Sequence, residues 1–162
     1  MLDFDDLDLP PDIDPITADA VEWAISKPPA EFRNVTYLFQ HSSSAGILQR
    51  GVPIKKGLNA HVFFWLSKRV PGGLLDAHLQ QHCLQTGFYQ IYETANGATR
   101  IRYGYDRALF QEVQAHYIAP PDIGDGVECR LVPSARQDLV RKASDEVVVP
   151  VFAADLVRTA GS

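Results

Sequence analysis

Three aspartates, one histidine and a run of serines are the residues whose types and spacing suit chemistry. Asp3 and Asp5 stand two apart in Met1-Leu2-Asp3-Phe4-Asp5-Asp6, so an extended segment puts both carboxylates on one face. Paired hard oxygen donors can share divalent metal, and phosphoryl and nucleotidyl transfer use such pairs to clamp the attacking and leaving oxygens. The same stretch, with Asp6, Asp8, Asp12, Asp14 and Pro10-Pro11, equally describes a solvated acidic tail. His61 falls on one strand face with Phe63 and Trp65 in Asn59-Ala60-His61-Val62-Phe63-Phe64-Trp65-Leu66. An ionisable ring there is either a core histidine with satisfied nitrogens or a group at the mouth of a site. Asp106 closes the alternating run Thr99 to Asp106 and precedes a helical pattern from Arg107 to Val113, so it can cap that helix, serve a site, or do both.

Other candidates carry less. His78 and His82 are four apart on a helical pattern, the spacing of two metal-binding imidazoles, but no glutamate follows His78 as a zinc-protease helix requires. His41 beside Ser42 suggests a nucleophile and its base, yet no Gly-x-Ser-x-Gly elbow surrounds them, and a surface His-Ser pair is the plainer expectation. Cys83 and Cys129 lack metal-type spacing and read as small buried residues of a reducing compartment.

These groups must be positioned by elements that the pattern also predicts. Val21, Ala24 and Ile25 sit at helical spacing over Thr17 to Ile25, with Thr17 as the cap and Pro28-Pro29 as the stop. Asn34 to Gln40 reads as a strand, followed by the serine-rich loop and a Lys55-Lys56 tip. The histidine run, bounded by Gly57 and Pro71-Gly72-Gly73, reads as a strand buried on both faces. Leu74 to Gln85 is an amphipathic helix ended by Gly87, and Tyr89 to Tyr92 is ambiguous. Asn96-Gly97 is a turn, and Thr99 to Tyr105 is a strand. Val127 to Val132 and the valine-rich Glu146 to Phe152 read as later strands. The mixed order predicts one α+β domain over residues 1–162, with a mixed or antiparallel sheet, flanking helices and an acidic segment over 1–15.

Length and composition fit that domain. A chain of 162 residues, 46% hydrophobic, can bury one full core. Its apolar runs are too short to span a bilayer and its acidic start lacks the features of a signal peptide, so a cytoplasmic protein without a membrane partner is expected. The net charge of −5 argues against a nucleic-acid partner. Its distribution softens the objection, because acid concentrates in the first fifteen residues while Arg50, Lys55, Lys56, Lys68, Arg69, Arg100, Arg102 and Arg107 flank the candidate segments.

Taken in order, Leu2-Asp3-Phe4-Asp5, Asn59-Ala60-His61 and Tyr105-Asp106 resemble the acid-x-acid, small-x-His and hydrophobic-Asp motifs of the bifunctional primase-polymerase (prim-pol) domain of the archaeo-eukaryotic primase superfamily, above all its phage and plasmid replication versions. The serine-rich Ser42-Ser43-Ser44-Ala45-Gly46-Ile47 and the segment Val113 to Pro121 extend the resemblance, which covers residues 2 to 131. Asn59 stands where a serine is more usual. The resemblance implies an RNA-recognition-motif-like catalytic core and a template-dependent nucleotidyltransferase, a DNA primase or polymerase. Asp3, Asp5 and Asp106 would be the catalytic residues, holding Mg²⁺ or Mn²⁺. His61, Ser42, Ser43, Ser44, Lys55, Lys56 and Arg130 would bind the nucleotide, Arg130 being otherwise an ordinary surface arginine. The implied partners are a single-stranded DNA template and nucleoside triphosphates, with room for a replicative helicase. Two alternatives stay open: a non-catalytic nucleic-acid-binding replication module with the same fold, or a metal-dependent nuclease using the same carboxylates.

Overall fold

The structure, a computed structural model, describes residues 1–107 and 119–150. Its centre is a four-stranded antiparallel sheet in the order β1 (Leu2–Leu7), β5 (Leu58–Phe64), β2 (Tyr37–His41), β9 (Gln137–Val140). The period-two alternation of these strands divides the sheet into two unlike faces. Leu2, Phe4, Tyr37, Phe39, Ala60 and Val62 point into the core, where they meet Ala20, Val21, Ala24 and Ile25 of α1 (Ala18–Ile25) and Leu79 and Cys83 of α2 (Gly72–Thr86). The opposite face carries Asp3, His61, Gln40 and Gln137 as directly paired neighbours, one residue from each strand in a single row.

The helices form where the sequence signals place them. Thr17 caps α1, its hydroxyl accepting from the Ala20 N–H, and Gly87 takes the left-handed conformation (φ 73°) that ends α2. α2 is fastened to the chain after α1 by its two histidines: His78 Nε2 pairs with the Glu31 carboxylate and His82 Nε2 bonds the Lys27 carbonyl. Their i, i+4 spacing thus serves helix docking. β6 (Tyr89–Glu93) and β7 (Thr99–Tyr103) make a hairpin around Gly97, which resolves the ambiguous Tyr89 segment as a strand. A second small sheet joins β4 (Val52–Pro53), β3 (Ile47–Gln49) and β8 (Val127–Cys129).

Several expectations are corrected. The histidine strand is not buried on both faces: past its end Trp65 is 75% exposed, and Leu38 and Leu139 are also exposed on the side of the sheet away from the core. The apolar run fills one face through Ala60 and Val62 and leaves the other partly open. Over 146–150 the valine-rich segment is not a strand and makes only an isolated bridge, Leu66 to Val147, while residues 151 and 152 lie outside the described part. The fourth strand is instead β9, whose Gln-Asp-Leu-Val has no strong alternation. Cys83 is buried as expected, but Cys129 is only partly so. The helical pattern after Arg107 and most of Val113 to Pro121 lie outside the described residues.

Candidate active site

β1 is an ordered edge strand and not a solvated tail. Leu2 and Phe4 enter the core, so alternation turns Asp3 and Asp5 to the other side. After Phe4 the β1–β5 register shifts at a bulge, with Asp6 at φ 53°, a left-handed conformation that few non-glycine residues adopt. The bulge is held from three directions. Asn59 Oδ1 accepts from the Asp6 N–H at 2.9 Å, and Asp6 Oδ1 accepts from the N–H groups of Lys56 and Gly57 at 2.9 and 2.7 Å. Gly57 is required by contact alone, because a Cβ there would lie 2.3 Å from the Leu7 carbonyl oxygen. Asn59 is buried and also donates to the Gly57 carbonyl. Its amide is long enough to reach two backbone groups.

Two partners converge on Asp3. His61 is its cross-strand neighbour, with Nε2 3.4 Å from Asp3 Oδ1, and the Asp106 N–H donates to the Asp3 carbonyl at 2.9 Å. Asp106 is carried there by Tyr105, a buried ring packed between Phe4 of β1 and Phe88, at 5.9 and 5.4 Å between centroids. β7 itself ends at Tyr103, so Asp106 closes no strand; it is delivered by the core contact of its neighbour. Burial first, and then the charges of Asp106 and Asp5, push the Asp3 carboxyl from an ordinary 3.8 up to about 7. The charges of Asp5 and Asp106 thus oppose ionisation of Asp3.

The gathering is incomplete. Asp5 pairs with Lys55 Nζ at 2.9 Å, and among the described residues no three His, Cys, Asp or Glu side chains stand together closely enough to hold a metal ion. Asp5 and Asp106 do line one cleft of about 320 Å³ with Arg102 and Arg107. Arg102 donates to the Asp5 carbonyl, and Arg107 makes a two-pronged contact with Asp76. Neither His61 nor Asp3 is on the wall of that cleft; Asp3 meets it only through its carbonyl, which accepts from the Asp106 N–H.

The expected nucleotide-binding residues fall into two groups. Lys55, Lys56 and Arg130 line a second cavity of about 180 Å³ with Asn59 and Gly46. Arg130 pairs there with Asp14 at 2.8 Å. The serine loop runs alongside, with the Ser42 N–H bonded to the Asn59 carbonyl and the Ser42 and Ser44 hydroxyls 3.1 Å apart, while Ser43 is exposed. The Asp5–Lys55 pair bridges this cavity to the acidic cleft.

Sequence reasoning misplaced His41 and missed Arg136. His41 is 2% exposed and therefore no surface partner of Ser42. Alternation with Tyr37 and Phe39 was the signal that it faces inward. Arg136 is 8% exposed and donates to the Ser42 carbonyl and to Cys129 Sγ. Nothing in its local sequence announces this. Compared with protein-family models, curated proteins and solved structures, the chain matches none.

Proposed function

We propose that this chain is a template-dependent nucleotidyltransferase of the primase-polymerase type, acting in replication of a phage, plasmid or related element. The observation that carries the reading is the convergence of Asp3, His61 and Asp106, far apart in sequence, through the β1–β5 register and the Asp106 N–H to Asp3 carbonyl bond. Asp3 and Asp106 would hold Mg²⁺ or Mn²⁺, joined by Asp5 once it leaves Lys55. The ion would supply charge stabilisation for departing pyrophosphate and a lower pKa for the attacking 3′-hydroxyl. His61 donates a hydrogen bond to the incoming triphosphate, and Lys55, freed from Asp5, turns its ammonium toward the same phosphates. The serine loop and Lys56 add donors, and Arg130 adds charge once it exchanges Asp14 for phosphate. The partly open sheet face offers Leu38, Leu139 and Trp65 as apolar surface for the bases of a single strand.

The test is primer synthesis on single-stranded DNA with Mn²⁺ and labelled nucleotides. Wild type makes product, and Asp5→Asn abolishes it while single-strand binding stays within about twofold. Synthesis by the variant at the wild-type rate removes Asp5 from the mechanism; degradation of template in place of growth selects the nuclease. One observation favours a second reading. The Asp5–Lys55 pair leaves the acids ungathered, as in a binding module of the same fold without a competent metal site. That module binds DNA but shows no nucleotide-dependent uptake of Mn²⁺.

Among the described residues no helix is long and apolar enough to cross a membrane.

A further inference from the structure

A third cavity, of about 310 Å³, opens at the end of the central sheet where β2 meets the chain leading into β9, and its walls include His41, Arg136, Ala119, Pro120 and Pro133. His41 follows Tyr37 and Phe39 onto the core face, and its N–H donates to the Arg136 carbonyl at 2.7 Å, so the two residues stand side by side. The Asp3–His61 row occupies the opposite face, to which alternation also turns the Gln40 and Gln137 side chains. The cavity's buried polar groups therefore lie apart from the acidic residues and from the nucleotide path proposed above.

Both side chains carry more hydrogen-bonding capacity than the fold uses. His41 is 2% exposed, and among the described residues neither ring nitrogen makes a hydrogen bond. Burial, reinforced by the Arg136 charge, holds the ring below its ordinary pKa, although the Asn59 carbonyl, short of hydrogen-bond geometry, pulls the other way. The neutral ring keeps one donor to offer. Arg136 is also buried and gives one N–H to the Ser42 carbonyl and one to Cys129 Sγ. A guanidinium has five donors, so three stay without a partner among the described residues, and no carboxylate there balances the charge. A buried charge and a buried orphan donor each cost free energy, which one shared acceptor of negative charge recovers. The cavity is larger than a bare oxyanion needs, and its other walls, Ala119, Pro120 and Pro133, are apolar. We propose that this pocket binds a small organic anion, its carboxylate or phosphate head on Arg136 and His41 and its compact apolar body against Ala119, Pro120 and Pro133.

The experiment is calorimetric titration of the full chain with benzoate, phenyl phosphate, inorganic phosphate and benzamide, the neutral isostere of benzoate. His41→Phe is the principal variant, because it keeps the ring that meets Phe39 edge-on at 5.5 Å between centroids and removes two nitrogens that bond nothing in the fold. Arg136→Gln is the second, with thermal unfolding as its control for lost Ser42 and Cys129 contacts. Wild type should bind benzoate or phenyl phosphate at least about tenfold more tightly than benzamide or inorganic phosphate, and the tighter of the two identifies the head group. His41→Phe should lose about tenfold of that affinity with an unfolding midpoint no lower than wild type, and Arg136→Gln should lose more. Benzamide bound as tightly as the two organic anions, or inorganic phosphate as tightly as phenyl phosphate, overturns the proposal. So does unchanged affinity in His41→Phe. A midpoint clearly below wild type in that variant would show that the ring nitrogens serve the fold, and overturns it as well. None of these readings involves primer synthesis, so the nucleotidyltransferase function stands or falls separately.

Discussion

Replacing Asp3 by asparagine should make the protein more stable at neutral and alkaline pH and leave it nearly unchanged in acid. The carboxyl is raised from 3.8 to about 7 by burial and by the charges of Asp106 and Asp5. The folded chain therefore holds a proton between about pH 4 and pH 7 that the unfolded chain releases. Stability that is complete below pH 4 is lost as the pH climbs to 7, and the loss levels off above it. At 1.36 kcal/mol per pH unit the interval corresponds to about 4 kcal/mol, and partial solvent contact and relaxation reduce this to about 2 kcal/mol. Asparagine keeps the shape and cannot ionise. For a chain of 162 residues the variant should melt about 4–8 °C above wild type at pH 8 and within about 1 °C of it at pH 4. His41 titrates in the opposite sense, since its depressed pKa removes stability as the pH falls below 6.5. It is present in both proteins, so the difference between variant and wild type cancels it. The assay is thermal unfolding at constant ionic strength across pH 4–8, repeated with Mn²⁺, which should recover part of the wild-type deficit at pH 8 and none of it in the variant. A pH-independent difference between the two proteins would refute the claim that Asp3 is the strained carboxyl.

Three further substitutions separate site from scaffold. His61→Ala should raise the KM for nucleotide about tenfold with little change in unfolding midpoint; a lower midpoint with an unchanged KM would make His61 a packing residue. Asn59→Ala strands the Asp6 N–H and the Gly57 carbonyl and should cost about 3 kcal/mol in urea denaturation, whereas a cost under about 1 kcal/mol would mean that the bulge holds itself. Gly57→Ala drives a Cβ into the Leu7 carbonyl and should cost about 3 kcal/mol; wild-type stability would show that the β1–β5 junction yields freely.

What the sequence determined by itself was local. Thr17 as a cap, Gly87 as a helix stop, Asn96-Gly97 as a turn and the alternation of Leu2 and Phe4 against Asp3 and Asp5 are decided by dihedral preference and side-chain period within a few residues. The same period, followed from Tyr37 and Phe39, points His41 inward. Tertiary structure alone decided the remainder. Whether a run such as Ala60 to Phe64 is covered on one face or two depends on what packs there, and the run carries the same residues in either case. β9 became a strand because β2 offered it an unpaired edge, while the more β-prone valines at 147–149 found only a single bridge. The site followed the same rule. Acid-x-acid named two of the carboxylates, but the Asp106 charge adds to the burial that raises the Asp3 pKa because Tyr105 packs between Phe4 and Phe88 and brings Asp106 to the Asp3 backbone. The Asp5–Lys55 pair and the burial of Arg136 against the Ser42 carbonyl have no local signature, because a charge is compensated by groups that folding brings near, 50 residues away for Lys55 and 94 for Ser42.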